Sequence, residues 1–383
     1  MRNLYLDNGA TAFPKAPNVA ESMCKYITEI GSNVGRGAYE TSHEAEGVLF
    51  ETRELICELF HTNQPENVVF TKNVTESLNI LIKGILREGD HVIVSSMEHN
   101  AVMRPLHSHM LKNIEITEVA CDKMGLIKPE DIEKNLKANT KAVIMIHASN
   151  VCGTIMPAKE IGQICKDNGV YFILDVAQTA GILDLNFADL KADALAFTGH
   201  KGLLGPQGIG GFICTDHLAE EMTTFIEGGT GSKSDSVYQP DYMPDKFEAG
   251  TPNMPGIYGL HASLQFIKDK GLESIRKHEM NLTEAFLDGL KTKDHVKIIG
   301  IANTINRMAV VSLDFINEDN GIVGFTLDRQ FGIKTRTGLH CAPSAHKTLG
   351  TLEQGTVRFS FGYFNTLDDV KYALEVIDQC KNL

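Results

Sequence analysis

Tyr171-Phe172-Ile173-Leu174-Asp175-Val176-Ala177-Gln178 is an apolar run that stops on a carboxylate, with an amide three residues later. Ala194-Leu195-Ala196-Phe197-Thr198-Gly199-His200-Lys201-Gly202 has the same design, an apolar run that ends in a small polar turn with a lysine at its tip. Short apolar runs of about four to eight residues bounded by turn residues read as strands buried on both faces. Working outward, strands are expected at 68–71, 91–95, 142–147, 170–174, 194–198 and 210–214, with helices at 76–86 and 158–168 between them. Apolar strands alternating with amphipathic helices predict an α/β fold, a mostly parallel sheet covered by helices. Ligands of such sheets gather at the carboxyl ends of the strands, where the polar clusters of this sequence fall.

With 383 residues, 43% of them apolar, the chain is long enough for two domains. The pattern changes near 255–265, where a helical stretch over 258–290 leads into mixed strands and helices. The expected division is a large domain at 15–257 and a smaller α+β domain made of 1–14 and 258–383. The net charge of −13 argues against a general nucleic-acid binder, which would carry a basic surface. No apolar stretch is long enough to span a bilayer and no apolar leader opens the chain, so a cytoplasmic protein without membrane contact is expected. The eight cysteines lack CxxC pairing, which predicts neither a disulfide framework nor a metal site.

Several strand ends carry chemistry. Lys201, held on a rigid strand end, can form a Schiff base with an aldehyde cofactor, and Thr198 and His200 can donate to a phosphate. Read alone, a lysine is more often a solvated surface residue. Asp175 at the neighbouring strand end can hold a ring nitrogen protonated, with Gln178 placed for a ring oxygen; alone, Asp175 could simply cap a helix. The stretch Thr71-Lys72-Asn73-Val74-Thr75-Glu76 runs from a strand into a helix, whose free N–H groups at Val74 and Thr75 suit a phosphate. Simple capping by Thr75 is the plainer alternative. His99 follows the strand at 91–95 and is a candidate to stack on a ring and shuttle protons. Asn150 follows the strand at 142–147 and can reach the same ring oxygen.

Taken together, these segments resemble the class V aminotransferase superfamily of fold-type I enzymes, which use pyridoxal 5'-phosphate (PLP). Asp175, Gln178, Thr198, His200 and Lys201 stand at the spacing of that family's DxxQ and (S/T)xHK motifs. Tyr5-Leu6-Asp7-Asn8-Gly9-Ala10-Thr11 and Asn33-Val34-Gly35-Arg36-Gly37 look like its opening turn and next loop. Phe247-Glu248-Ala249-Gly250-Thr251-Pro252-Asn253 looks like the loop whose threonine, here Thr251, reaches the phosphate of a neighbouring subunit, which implies a homodimer. Arg336-Thr337-Gly338-Leu339-His340-Cys341-Ala342-Pro343 resembles the R-x-G-x-x-C-A signature of cysteine desulfurases, closest to the SufS-type group with a short catalytic loop. Leu339 departs from it, standing where a second histidine is often found, and 344–350 has no assigned role.

The resemblance implies that Lys201 holds PLP and moves a proton, helped by His99. Cys341 takes sulfur from L-cysteine as a persulfide, with Arg336 and His340 as candidate cations beside the thiol. Arg358 grips the substrate carboxylate as a bidentate fork, with Arg336 and Asn150 near the substrate. A sulfur-acceptor protein is the expected partner, and no metal is expected. Selenocysteine lyase, cysteine-sulfinate desulfinase, an ordinary aminotransferase and a non-catalytic sulfur-binding protein are the alternatives.

Overall fold

The computed structural model describes residues 2–35 and 37–381, so Arg36 of the quoted loop lies outside the described residues. The strands are β1 Leu4–Tyr5, β2 Val68–Thr71, β3 His91–Ser95, β4 Glu115–Val119, β5 Thr140–Ile146, β6 Tyr171–Asp175, β7 Ala194–Thr198, β8 Gly210–Cys214, β9 Val296–Ile299, β10 Val310–Phe315, β11 Ile333–Lys334, β12 Arg336–Gly338 and β13 Thr356–Ser360. The α-helices are α1 Val19–Lys25, α2 Glu40–Leu59, α3 Val74–Ile85, α4 Asn100–Leu106, α5 Pro129–Lys134, α6 Ala158–Asp167, α7 Phe187–Leu190, α8 Asp216–Glu221, α9 Met254–Lys270, α10 Leu272–Leu290, α11 Asn320–Phe331, α12 Pro343–Leu349 and α13 Leu367–Gln379.

The main sheet runs β2-β8-β7-β6-β5-β3-β4. The pairs from β7 to β4 are parallel, while β8 is antiparallel to both β2 and β7. Alternation along each strand builds two apolar layers, because successive side chains leave opposite faces of a strand. Ile93, Val143, Phe172, Leu174, Leu195 and Phe197 enter one core. Val92, Val94, Ile144, Ile173, Ala194 and Ala196 enter the other. Helices therefore cover both faces, and the chain crosses the sheet's carboxyl edge at Asp175 and Thr198.

The expected helical stretch over 258–290 is two helices. Gly271 breaks it, at φ 77°, a left-handed conformation that costs glycine little. Beyond α10, the sheet β12-β13-β10-β9 forms a second layer with its own core, including Phe286, Val311, Phe315 and Phe359. Leu4 and Leu6 belong to that same core, and β1 pairs in parallel with β11, so the two ends of the chain meet here. Arg336 on β12 lies opposite Arg358 on β13. No helix among the described residues is long and apolar enough to cross a membrane.

Candidate active site

Asp175 ends β6, 3% exposed, and its Oδ1 accepts the Ala177 N–H at 2.9 Å. Burial raises its pKa, against that hydrogen bond and the attraction of Lys201. Lys201 stands just past β7 in a tight turn. Part of its side chain remains accessible, yet it is enclosed densely enough that burial brings the ammonium down to about 8. Asp175 opposes that fall, and Arg358 and Arg336 add to it. The two groups act on one another electrostatically, so parallel pairing of β6 with β7 has joined the carboxylate to the amine.

Around this pair sit buried polar atoms with no protein partner: Thr198 Oγ1, His200 Nδ1 and Asn150 Oδ1. Buried polar atoms are almost always satisfied, so a cluster of orphans on strand-end loops marks room for a polar ligand. Burial, and then Lys201, brings His200 down to about 4, so its ring is neutral. Gln178 donates from Nε2 to the Gly9 carbonyl at 3.0 Å, which brings the N-terminal turn over the site. A cavity of about 30 Å³ beside Lys201 is lined by Gln178, Gly9, Asn8, Ser360 and Glu279.

At α3 the capping residue is Asn73, not Thr75. Asn73 Oδ1 accepts the Glu76 N–H at 3.1 Å, and Thr75 is exposed one position into the helix. The N–H groups of Val74 and Thr75 lie in the first turn, where no intrahelical acceptor exists. Gly210 of β8 packs against Asn73, and a β-carbon there would come within 2.9 Å of its Cα. Thr251 is exposed and opens onto a different cavity of about 550 Å³, which it shares with Asn33, Lys72 and Asn253. The single chain does not bring Thr251 to Lys201.

His99 enters its expected role as a neutral ring. Its Nδ1 accepts the Ala101 N–H at 3.0 Å as the cap of α4, which leaves the ring proton on Nε2. Burial first, then Lys201, Arg336 and Arg358, bring it down to about 4. A neutral ring can stack and can donate from Nε2. His340 is corrected as a candidate cation beside the thiol. It is buried, its Nε2 lies 2.8 Å from Thr356 Oγ1, and burial reinforced by Arg358 brings it down to about 2. Arg336 remains, its Nη2 3.9 Å from Cys341 Sγ.

Cys341 is exposed and held by its backbone. His340 and Cys341 take left-handed conformations at φ 48° and 58°. Asn150 Nδ2 donates to the His340 carbonyl at 2.7 Å, and the Asn100 N–H donates to the Cys341 carbonyl at 2.8 Å. The unassigned stretch 344–350 is largely α12, which anchors this loop. Ala345 and Leu349 enter the main core, and Thr348 Oγ1 donates to Ser96 Oγ at 2.8 Å. The thiol therefore stands on a short, pinned loop beside His99 and Asn150.

Arg358 is 2% exposed and largely engaged. Its Nη2 pairs with Asp7 Oδ1 at 2.8 Å and its Nη1 donates to the Asn150 carbonyl at 2.9 Å, while Nε has no partner. A bidentate grip on a ligand carboxylate requires Asp7 to yield. Asp7 carried no role in the sequence reading, although it lies in the quoted opening turn.

Glu98 was also passed over. It is fully buried, and Oε1 accepts from Ser95 Oγ and from the Ile146 N–H at 3.1 Å, while Oε2 has no partner. Burial pushes its carboxyl up to about 8, with Asp175 adding to the rise. A group raised in the folded state contributes stability that is present below its unfolded value and is lost as pH rises through the folded one. Glu98→Gln keeps the shape and the acceptor oxygen. The variant is expected to unfold at a higher denaturant midpoint than the parent at pH 8, the gap closing as pH falls toward the ordinary glutamate value. Equal midpoints at both ends would show Glu98 to be ionised in the fold.

The family model described as Aminotransferase class-V matches residues 4–373. A protein of Methanothermobacter thermautotrophicus named probable cysteine desulfurase is 34% identical over 381 residues, covering 98% of this chain and 94% of its own length. One of Haloferax volcanii named cysteine desulfurase is 31% identical over 390 residues, covering 99% and 90%. The structure of an apo cysteine desulfurase from Thermococcus onnurineus NA1 superposes with a TM-score of 0.92 at 33% identity, over 100% of this chain and 95% of that one. The strand-end lysine and aspartate, the orphaned polar atoms and these likenesses lead to one conclusion: the chain belongs to the class-V aminotransferase family.

Proposed function

We propose that this protein is a PLP-dependent cysteine desulfurase that converts L-cysteine to L-alanine and carries the sulfur as a persulfide on Cys341. The observation that supports this most is the position of the thiol. Cys341 is exposed, faces Arg336, and is tied through its own carbonyl to the residue after His99. The relatives named cysteine desulfurase point the same way.

The residues present fit PLP. Lys201 would hold its aldehyde carbon, Asp175 its ring nitrogen, and Asn150 and Gln178 its ring oxygen. Thr198, His200 and the first turn of α3 at Val74 and Thr75 would hold its phosphate, with His99 against the ring. In a homodimer, Thr251 would serve the phosphate of the second copy. When bound, PLP supplies an electron-withdrawing ring that takes up the charge left when a substrate C–H bond breaks.

The chain's own groups carry the rest. An amine at about 8 is neutral in roughly one molecule in ten at pH 7, against about one in 2,500 for an unshifted lysine. Lys201 can thus take the α-proton of cysteine and return a proton to the product. Arg358, on release from Asp7, holds the substrate carboxylate, with Arg336 and Asn150 beside it. The Cys341 thiolate attacks the substrate sulfur. The new S–S bond forms as the C–S bond breaks, and the carbon gains a proton to become the methyl group of alanine. One cysteine and one enzyme thiol give one alanine and one enzyme persulfide, so no outside oxidant is needed. The terminal sulfur then passes to an acceptor protein. The division into a large domain at 15–257 and a small one at 1–14 with 258–383 belongs to this reading.

The test is product analysis with L-cysteine as the only substrate. Alanine is expected without any 2-oxo acid, together with a gain of one sulfur atom on the peptide carrying Cys341. Alanine formation that depends on an added oxo acid would identify a transaminase instead.

A further inference from the structure

A third cavity, of about 360 Å³, lies away from Cys341 between α10, the residue that follows β5 and the first turn of α6. It is lined by His147, Ala158, Lys159, Glu160, Asp184 and Arg276, among others. Arg276, on α10, makes no hydrogen bond or ion pair among the described residues, and its Nη1 is sealed from solvent without an acceptor. A buried guanidinium N–H left without a partner forfeits its hydration for nothing in return. Glu279, one turn along α10, forms no ion pair with Arg276; burial pushes its carboxyl up to about 8, and the attraction of Arg276 opposes that rise without supplying Nη1 an acceptor.

Two further features point the same way. His147 is 5% exposed, its Nδ1 lies 3.0 Å from Thr179 Oγ1, and its Nε2 has no partner among the described residues. The cavity meets the first turn of α6, a ten-residue helix whose N-cap, Pro157, supplies no side-chain cap. The Ala158 N–H is taken by the Met156 carbonyl at 2.8 Å, so the N–H groups of Lys159 and Glu160, with the helix dipole, are what favour negative charge there. Lys159 pairs with Asp189 at 3.3 Å, Asp184 meets the His61 ring at 2.5 Å at an exposed position, and Glu160 makes no ion pair, so these two acids are the lining groups that oppose an anion.

We propose that this cavity binds a small oxyanion of the phosphate or sulfate class, held by Arg276, the open first turn of α6 and His147 Nε2. The site goes beyond the desulfurase reading and does not depend on it. Its ligand would join α10 to the strand ends that carry the catalytic groups. The His147 N–H donates to the Asp175 carbonyl at 2.9 Å, and Thr179 adjoins Gln178. Anion occupancy would thus be felt by the backbone at Asp175.

The experiment uses the holoenzyme, so that the cofactor's own phosphate site is filled, and titrates sodium sulfate against sodium chloride at matched ionic strength. The parent is expected to show a saturable rise in Tm of roughly 2–4 °C above the chloride control. Arg276→Gln should lose the saturable part, whatever its own baseline Tm. Glu160→Gln should reach half-effect at a lower sulfate concentration. A parent with no rise beyond chloride, or an Arg276→Gln protein with the parent's response, would overturn the proposal. Crystals soaked in selenate give a second reading: anomalous signal in this cavity supports it, and signal only elsewhere refutes it.

Discussion

Lys201→Ala is expected to purify without the yellow colour of covalently held PLP and to lose desulfurase activity by on the order of 10³-fold or more. Two effects combine. The amine is the covalent anchor, and alanine has no nitrogen with which to replace it. It is also the base, brought by burial to about 8 so that its neutral form is present near physiological pH. Loss of a positioned acid–base group alone costs about 10²–10⁴-fold. The protein should still fold, because Ala196 and Phe197 remain in their cores and alanine fits a turn. Absorbance of the dialysed protein and the alanine produced from L-cysteine are the measurements. A coloured Lys201→Ala protein whose colour survives denaturing gel filtration would place the covalent anchor elsewhere.

Cys341→Ser is expected to separate the two halves of the chemistry. The variant should keep its colour and still exchange the α-proton of a bound amino acid with deuterium oxide, because Lys201 and Asp175 are untouched. Persulfide should vanish and alanine formation fall by on the order of 10³-fold or more. A hydroxyl is far less acidic than a thiol and a poor partner for sulfur, so no sulfur–sulfur bond can form at that position. The change is sterically mild. Cys341 is exposed, and its loop is fixed through backbone groups that serine retains. Full desulfurase activity in this variant would move the sulfur-accepting step to another residue or to the substrate itself.

The sheet was readable because its strands are buried on both faces and end in polar turns. The borders at β2, β3, β7 and β8 coincide with the apolar runs. β4 escaped notice for the opposite reason. It is an edge strand, and Glu115, Ile116, Thr117 and Glu118 stay partly or fully exposed, so its composition resembles a loop. The single helical stretch over 258–290 failed on Gly271, since periodicity does not reveal a left-handed residue. Residue types at strand ends made Lys201, Asp175 and Thr198 visible, but their charge states were not. His99 read as a proton shuttle and His340 as a cation by type, and it is burial beside arginines that lowers both toward the neutral ring. Glu98 and Asp7 were missed because an acid in a sequence is usually solvated, and here burial and an arginine partner make the difference.

The pairing of Asp7 with Arg358 has a consequence for how a ligand gains entry. The guanidinium already has a carboxylate, supplied by the chain's own beginning, so a substrate enters by exchange rather than by filling a vacancy. Asp7 then acts as an internal rival whose strength sets how tightly any amino acid is held. Since the turn containing Asp7 also touches β13 and, through Gly9, Gln178, winning that contest would loosen the N-terminal flap over the lysine at the moment the true ligand arrives.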